Sequence, residues 1–298
     1  MKKNLLCFSA VAAMLAMATI FTACSSDDEQ SYTASLTLNA SKSDYGSATR
    51  SISYVDQADP TKGINTTWAT TDKVAVYKSG WTSKIGDLSP MDGKTEGNKT
   101  KLDGNVSSEG LNIGDRTELI MPRTTWSYTE QDGTLATISS KYDYAIASAQ
   151  VTFIDKNKKI YASDAVFKTQ QAIVRYVIKY SGQPLNVSSM TIVAESGKLV
   201  KSRNLDGSSV EYGGLEITPG NPTNVFDVAI RNDNTGADRY TLTVKVADSE
   251  GDKIYSSTSS NQHTYAWGKF IIHEVDVNFV DDTHTERDTY QYQGTEAW

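Results

Sequence analysis

Hydrophobic and polar residues alternate along most of this chain with a period of two, the spacing that places successive side chains on opposite faces of a β-strand. In "TASLTLNA" (33–40), Ala34, Leu36, Leu38 and Ala40 fall on one face, and Thr33, Ser35, Thr37 and Asn39 on the other. "KVAVYKS" repeats the pattern with Val74 and Val76, and "DRTELIMP" with Leu119 and Met121 before Pro122 stops the run. Further on, "QAIVRYVIKY" aligns Val174, Tyr176, Ile178 and Tyr180, and "RYTLTVKVAD" aligns Tyr240, Leu242, Val244 and Val246 ahead of a turn at "SEGDK". "KFIIHEVDVNFV" reads as one strand with Ile271, Val275, Val277 and Phe279 on its apolar face. Gly, Asn, Asp and Ser clusters separate these segments, and no long apolar stripe at helical spacing interrupts them. The pattern predicts an all-β protein of two tandem β-sandwiches. The basic polar loop "IDKNKKIYASD" (154–164) marks the boundary between them. On that division the chain reads as a leader over 1–23, a tether over 24–30, a first sandwich over 31–163, a second over 164–280 and a tail over 281–298.

The leader comes from the longest apolar run. Lys2 and Lys3 precede an uncharged stretch from Leu5 to Ala23, the arrangement of a secretory signal peptide. Its end, "FTAC", resembles the lipobox of bacterial lipoproteins, with Phe21 where Leu is usual. That likeness implies that Cys24 is acylated and becomes the mature N-terminus. A plain signal peptide or an uncleaved helix with an incidental cysteine is the alternative. Two or more acyl chains at about 0.8 kcal/mol per buried methylene would make such an anchor stable. The polar "CSSDDEQ" that follows buries nothing; it reads as a solvated spacer and also resembles a surface-export signal.

Composition then narrows the function classes. Removing residues 1–23, which carry two lysines, leaves 275 residues and moves the formal charge from −7 to −9. An acidic chain is poorly matched to nucleic acid. Cys7 lies inside the leader, so the mature chain has no cysteine pair and is expected to rely on its core instead of disulfides. His263, His273 and His284 follow no metal-ligand spacing, and Gly-x-Ser-x-Gly, phosphate-loop and Gly-x-Gly-x-x-Gly motifs are missing from the sequence. His273 reads as a packed or surface residue. "RNDNTGADRY" (231–240) gathers Asp233, Asn234, Gly236 and Asp238 but lacks the length and terminal Glu of a calcium loop, so it reads as a hairpin turn. Trp68 and Trp267 are assigned to the core, with Trp298 unassigned. No catalytic, cofactor or metal residues are predicted.

Several segments together resemble the fimbrillin family, the subunits of type V pili and related outer-membrane lipoproteins. "TTWATTDKVAVY" (66–77) resembles the family's Trp and short strand ending in Tyr, with Thr71 where Gly is usual. "KYDYAIASAQV" (141–151) and "AVFKTQQAIVRYVIKY" (165–180) resemble a Tyr-Asp-Tyr strand and the strand opening the C-terminal half, with Thr169 replacing a His. "WGKFIIHEVDVNF" (267–279) resembles the closing Gly-Lys strand.

The resemblance implies transthyretin-like sandwiches and no enzymatic activity. It also implies export as a lipoprotein to the outer membrane surface and residence in a fimbrium. An arginine-specific protease would then cut the loop after the first strand, and a C-terminal strand from the next subunit would fill the opened groove. "SKSDYGSAT" (41–49) is a loop of the accessible kind, ending at Arg50 and followed by small Ser51. Cleavage between Arg50 and Ser51 is one reading, and a surface arginine at a strand entrance is the other. The tail alternates Tyr290 and Tyr292 but is otherwise polar, so both a donor strand and a non-polymerising tail remain open. The competing function is a monomeric surface lipoprotein that binds glycans or host ligands through Tyr and Trp.

Overall fold

The structure, a computed structural model, describes residues 32–42, 51–80, 83–121, 125–234, 236–249 and 251–280. The leader, Cys24, the tether, Arg50 and the tail from 281 therefore lie outside the described residues. The fold is all-β, as the alternation predicts. The first half contains β1 (Thr33–Lys42), β2 (Ser51–Tyr54), β3 (Ile64–Thr67), β4 (Val74–Lys78), β5 (Lys84–Pro90), β6 (Lys99–Ser107), β7 (Arg116–Met121), β8 (Thr125–Ser127), β9 (Ala145–Ile154), β10 (Lys159–Ala162) and β11 (Ala165–Thr169). The second half contains β12 (Ala172–Tyr180), β13 (Gln183–Pro184), β14 (Ser189–Ala194), β15 (Val200–Asn204), β16 (Val210–Tyr212), β17 (Leu215–Ile217), β18 (Val225–Ile230), β19 (Tyr240–Val246), β20 (Lys253–Thr258), β21 (Phe270–Asp276) and β22 (Asn278–Val280).

The first large sheet runs β10-β1-β11-β9-β7-β4-β5-β6, and β1 also pairs with β6, so the sheet closes on itself. Closure leaves β1 with both edges hydrogen-bonded, removing the exposed rows of N–H and C=O groups that invite uncontrolled pairing. The inward faces carry Leu36, Leu38, Val74, Val76, Leu88, Leu102, Leu119, Val151 and Phe167 in one buried cluster. Two glycines allow the ring to tighten. A Cβ on Gly104 would stand 2.2 Å from the Asp87 carbonyl oxygen, and one on Gly86 would stand 2.3 Å from that of Asn105, so β5 and β6 meet at a distance only glycine permits.

A second core lies between the sheet β17-β14-β19-β20-β22 and the sheet in which β12 is flanked by β18 and β21. Val174, Tyr176 and Ile178 of β12 are buried in it with Leu242 and Val244, as the alternation predicts, and with Ile192, whereas Tyr180, on the same predicted face, is exposed. Segments from earlier in the chain also enter it: Ile52 and Ile64 of the β2–β3 pair, and Trp126, Tyr128, Leu135, Ile138, Tyr142 and Tyr144. The basic loop at 155–158 turns the β9–β10 hairpin inside the first sheet. The last change of core comes later, at Gln170 and Gln171, between β11 and β12.

Three expectations need correction. The run 269–280 is not one strand. β21 pairs in parallel with β12, Val277 is buried at the break, and β22 pairs antiparallel with β20 on the other sheet. The segment 231–240 is not a hairpin turn either. β18 and β19 belong to different sheets, and the segment carries the chain from one to the other. Trp267 is 46% exposed and not a core residue.

Candidate assembly site: the slot of the first strand

The strand whose removal the family resemblance implies occupies a defined slot. Along β1, Ala34, Leu36, Leu38, Ala40 and Lys42 are buried in alternation, while Thr33 and Asn39 are exposed. On one side it pairs antiparallel with β6 through nine residues, from Thr33 opposite Ser107 to Ser41 opposite Lys99. On the other side two short strands lie end to end: β10 pairs in parallel with Ser35–Thr37, and β11 with Ala40–Lys42. Outward, the Asp103 carboxylate accepts hydrogen bonds from the hydroxyls of Ser35, at 3.1 Å, and Thr37. Full burial of a Leu side chain contributes about 1.5–3 kcal/mol, so Leu36 and Leu38 account for much of the strand's hold.

The fifth inward position is occupied by a charge. Lys42 and Asp72 have side chains with no exposed surface, and Lys42 Nζ lies 3.3 Å from Asp72 Oδ2. Nζ also donates to the Thr67 carbonyl at 3.4 Å and sits 3.4 Å from the centroid of the Trp68 ring. Trp68 is held edge-on against Phe167 at 5.5 Å, and its Nε1–H donates to the Asn98 carbonyl at 3.1 Å. Asn98 returns its side-chain N–H to the Lys42 carbonyl at 3.2 Å. Asp72 Oδ2 accepts from the Ala69 N–H at 3.0 Å, whereas Oδ1 is buried without a hydrogen-bond partner among the described residues. Burial strips the ammonium of water and lowers its pKa from 10.5 to about 7, against the raising effects of Asp72 and Asp143. Sequence reading missed this group because a lysine at a strand end ordinarily reaches solvent. The available signal was the unbroken period two, which makes Lys42 the next member of the series Ala34, Leu36, Leu38 and Ala40.

The far side of the Arg50 position is fixed to the other core. Ser51 opens β2 and pairs with Thr67 of β3. Ile52 N–H donates to Ser139 Oγ at 2.9 Å. Tyr54 OH donates to Asp227, which Arg175 grips with two hydrogen bonds of 2.9 and 3.0 Å, and the guanidinium lies 4.4 Å from the centre of the Tyr54 ring. Residues 43–50 thus join a strand in the first core to a strand docked on the second.

The other sequence candidates take structural places. His263 and His273 lie edge to face at 4.7 Å beside Tyr265, and burial followed by the charge of His263 lowers the His273 pKa to about 4. Asp233 binds Arg231 at 2.9 Å, whereas Asp238 binds Ser196 and, at 2.9 Å, Asn232, so these two acids face different partners. Among the described residues, no three His, Cys, Asp or Glu side chains converge as a metal site. Trp68 is buried as expected, and Trp267 carries the Arg231 guanidinium 4.2 Å above its exposed ring.

No protein-family model matches the chain, and no curated protein matches it. Solved structures similar to it include a candidate cell adhesion protein of Bacteroides fragilis, at 10% identity and TM-score 0.42 over 85% of this chain and 100% of that one. A candidate cell adhesion protein of Bacteroides ovatus matches at 12% identity and TM-score 0.41 over 83% and 94%. A fimbrial protein of the same species matches at 10% identity and TM-score 0.36, over 86% of this chain and 55% of that one. With values this low, the functional reading rests on the residues of this chain.

Proposed function

We propose that this protein is a structural or adhesive subunit of a surface fimbrium, without enzymatic activity, assembled by replacing its own first strand. It is exported as a lipoprotein with Cys24 acylated in the outer membrane. An arginine-specific protease cuts between Arg50 and Ser51. The cut frees β1 with its lipid, and a strand from another pilin subunit takes the vacated slot, a case of strand addition to a sheet. One observation carries the reading. β1 is the first strand among the described residues, fills a slot between β6 and the β10–β11 pair with alternate apolar side chains, and is joined to the remainder through the segment ending at Arg50. Removal of any other strand of the ring would require two cuts.

Mass spectrometry of the surface-assembled protein tests the reading. It is expected to give an N-terminus at Ser51, with acyl label on Cys24 only in the uncut precursor and in the released fragment ending at Arg50. An intact acylated chain inside a polymer would overturn it. The competing reading, a monomeric lipoprotein that binds glycans, draws on the exposed rings of Trp267, Tyr180 and Phe279. Arg50→Gln, which blocks the cut that empties the slot, separates the two. Lost polymer with an intact fold favours the fimbrial subunit, and unchanged behaviour with retained sugar binding favours the lectin-like one.

A further inference from the structure

The slot has a chemical specificity that its apolar pattern alone does not express. Four of its five inward positions take Ala34, Leu36, Leu38 and Ala40, and the fifth places Lys42 against Asp72. Asp72 belongs to the turn before β4 and not to β1, so it stays behind when β1 leaves. Its carboxylate is fully buried, with Oδ1 already short of a partner. Burying an unpaired charge costs several kcal/mol, and burying two like charges together costs more. An incoming strand must therefore bring an ammonium or amine donor to the fifth position or leave Asp72 stranded.

Resting on the reading that β1 is replaced, we infer that the slot selects a strand of another protein whose alternate residues run small, large, large, small, lysine, and that it rejects this chain's own tail. The tail sequence makes the second half specific. Placing Tyr290 and Tyr292 where Leu36 and Leu38 sit puts Glu296 against Asp72. Reversing the strand direction puts Glu286 there and Asp288 in the place of Ala40. Shifting the register so that Arg287 meets Asp72 fills the two leucine positions with Asp281 and Thr283, or with Gln293 and Gln291 in the reverse direction. Each arrangement sets an acid beside an acid or polar groups in the leucine sites. The partner is thus a different subunit with a lysine-ended apolar strand, and residues 283–298 of a second copy do not serve.

The test uses the full chain with a site-specific protease sequence placed within residues 43–50, folded intact and then cut. In mild denaturant it is incubated with labelled synthetic peptides. The peptides are residues 33–42, the same peptide with Lys42→Met or Lys42→Glu, and residues 283–298. The 33–42 peptide is expected to be captured, the Lys42→Met form at least about a hundredfold more weakly, as for the loss of one partner of a buried pair, and the Lys42→Glu and 283–298 peptides not at all. In the Asp72→Asn protein the gap between the Lys and Met peptides is expected to close to within a few-fold. Equal capture of the Lys and Met peptides, or capture of 283–298, would overturn the selectivity while leaving strand replacement intact. Failure to capture the parent 33–42 peptide would overturn both. The peptide arms need no variant of the protein, so a poorly folding Asp72→Asn chain leaves them decisive.

Discussion

The buried lysine predicts an unusual dependence of stability on pH. In the unfolded chain Lys42 holds its proton up to about pH 10.5, whereas in the fold burial brings its pKa to about 7. Between these values the unfolded state binds more protons than the native state, so stability rises with pH across the window and is independent of this group below it. At 1.36 kcal/mol per unit, the separation of 10.5 from about 7 amounts to about 5 kcal/mol in total. From pH 7.5 to pH 9 the gain is about 2 kcal/mol, before tyrosine titration intervenes. Urea denaturation followed by circular dichroism at those two values is expected to move the midpoint upward by roughly 1 M. Lys42→Met removes the titrating group, so its two curves are expected to lie much closer together than those of the parent. Parallel pH responses in parent and variant would refute the assignment of the slope to Lys42, and with it the dry environment on which the slot's selectivity depends.

Other expectations follow from the same contacts. Leu38→Ala is expected to destabilise the protein by about 2–5 kcal/mol in urea melts, whereas Asn39→Ala, on the exposed face, should fall within about 0.5 kcal/mol of the parent. Gly104→Ala forces a methyl group onto the Asp87 carbonyl and is expected to cost about 1–3 kcal/mol or more by the same assay. Asp227→Ala leaves the partly buried Arg175 without its carboxylate and should cost up to about 3 kcal/mol. Tyr54→Phe, which loses the hydrogen bond its hydroxyl donates to Asp227 and the one it accepts from Arg175, should cost about 1.5–3 kcal/mol. Faster amide exchange in β2 should accompany both.

Strand alternation was legible wherever one face of a strand meets a core and the other meets water. In β1 each sequence-assigned inward residue is buried. The pattern under-reported β4 and β7, whose outward residues Ala75, Tyr77 and Ile120 are buried against one another and against Leu205 from the second half. A contact between distant segments leaves no periodicity in either. The break at Val277 was hidden for a related reason. A buried residue at a change of sheet preserves period two, so "HEVDVNF" reads as continuous although its ends pair with different partners. Asp, Asn and Gly in 231–240 suggested a tight hairpin, but Asn232 and Asp238 instead form a buried polar network with Ser196 and Tyr240 that steers the chain between sheets. Trp267 was placed in the core on residue type alone, and the arginine stacked on its face is the partner that its sequence context did not reveal.

The position of Lys42 at the last residue of β1 also has a mechanical meaning. A pull from the N-terminal side draws the strand lengthwise and loads its hydrogen bonds to β6, β10 and β11 in shear, all at once. Sliding by two residues would drag the amine away from Asp72 and into the position lined for Ala40. The lysine thus behaves as a stopper at the end of a cord: motion toward the N-terminus is blocked by desolvation, while release at the other end frees the strand to leave sideways. Tension and proteolysis would act on the same strand with opposite results.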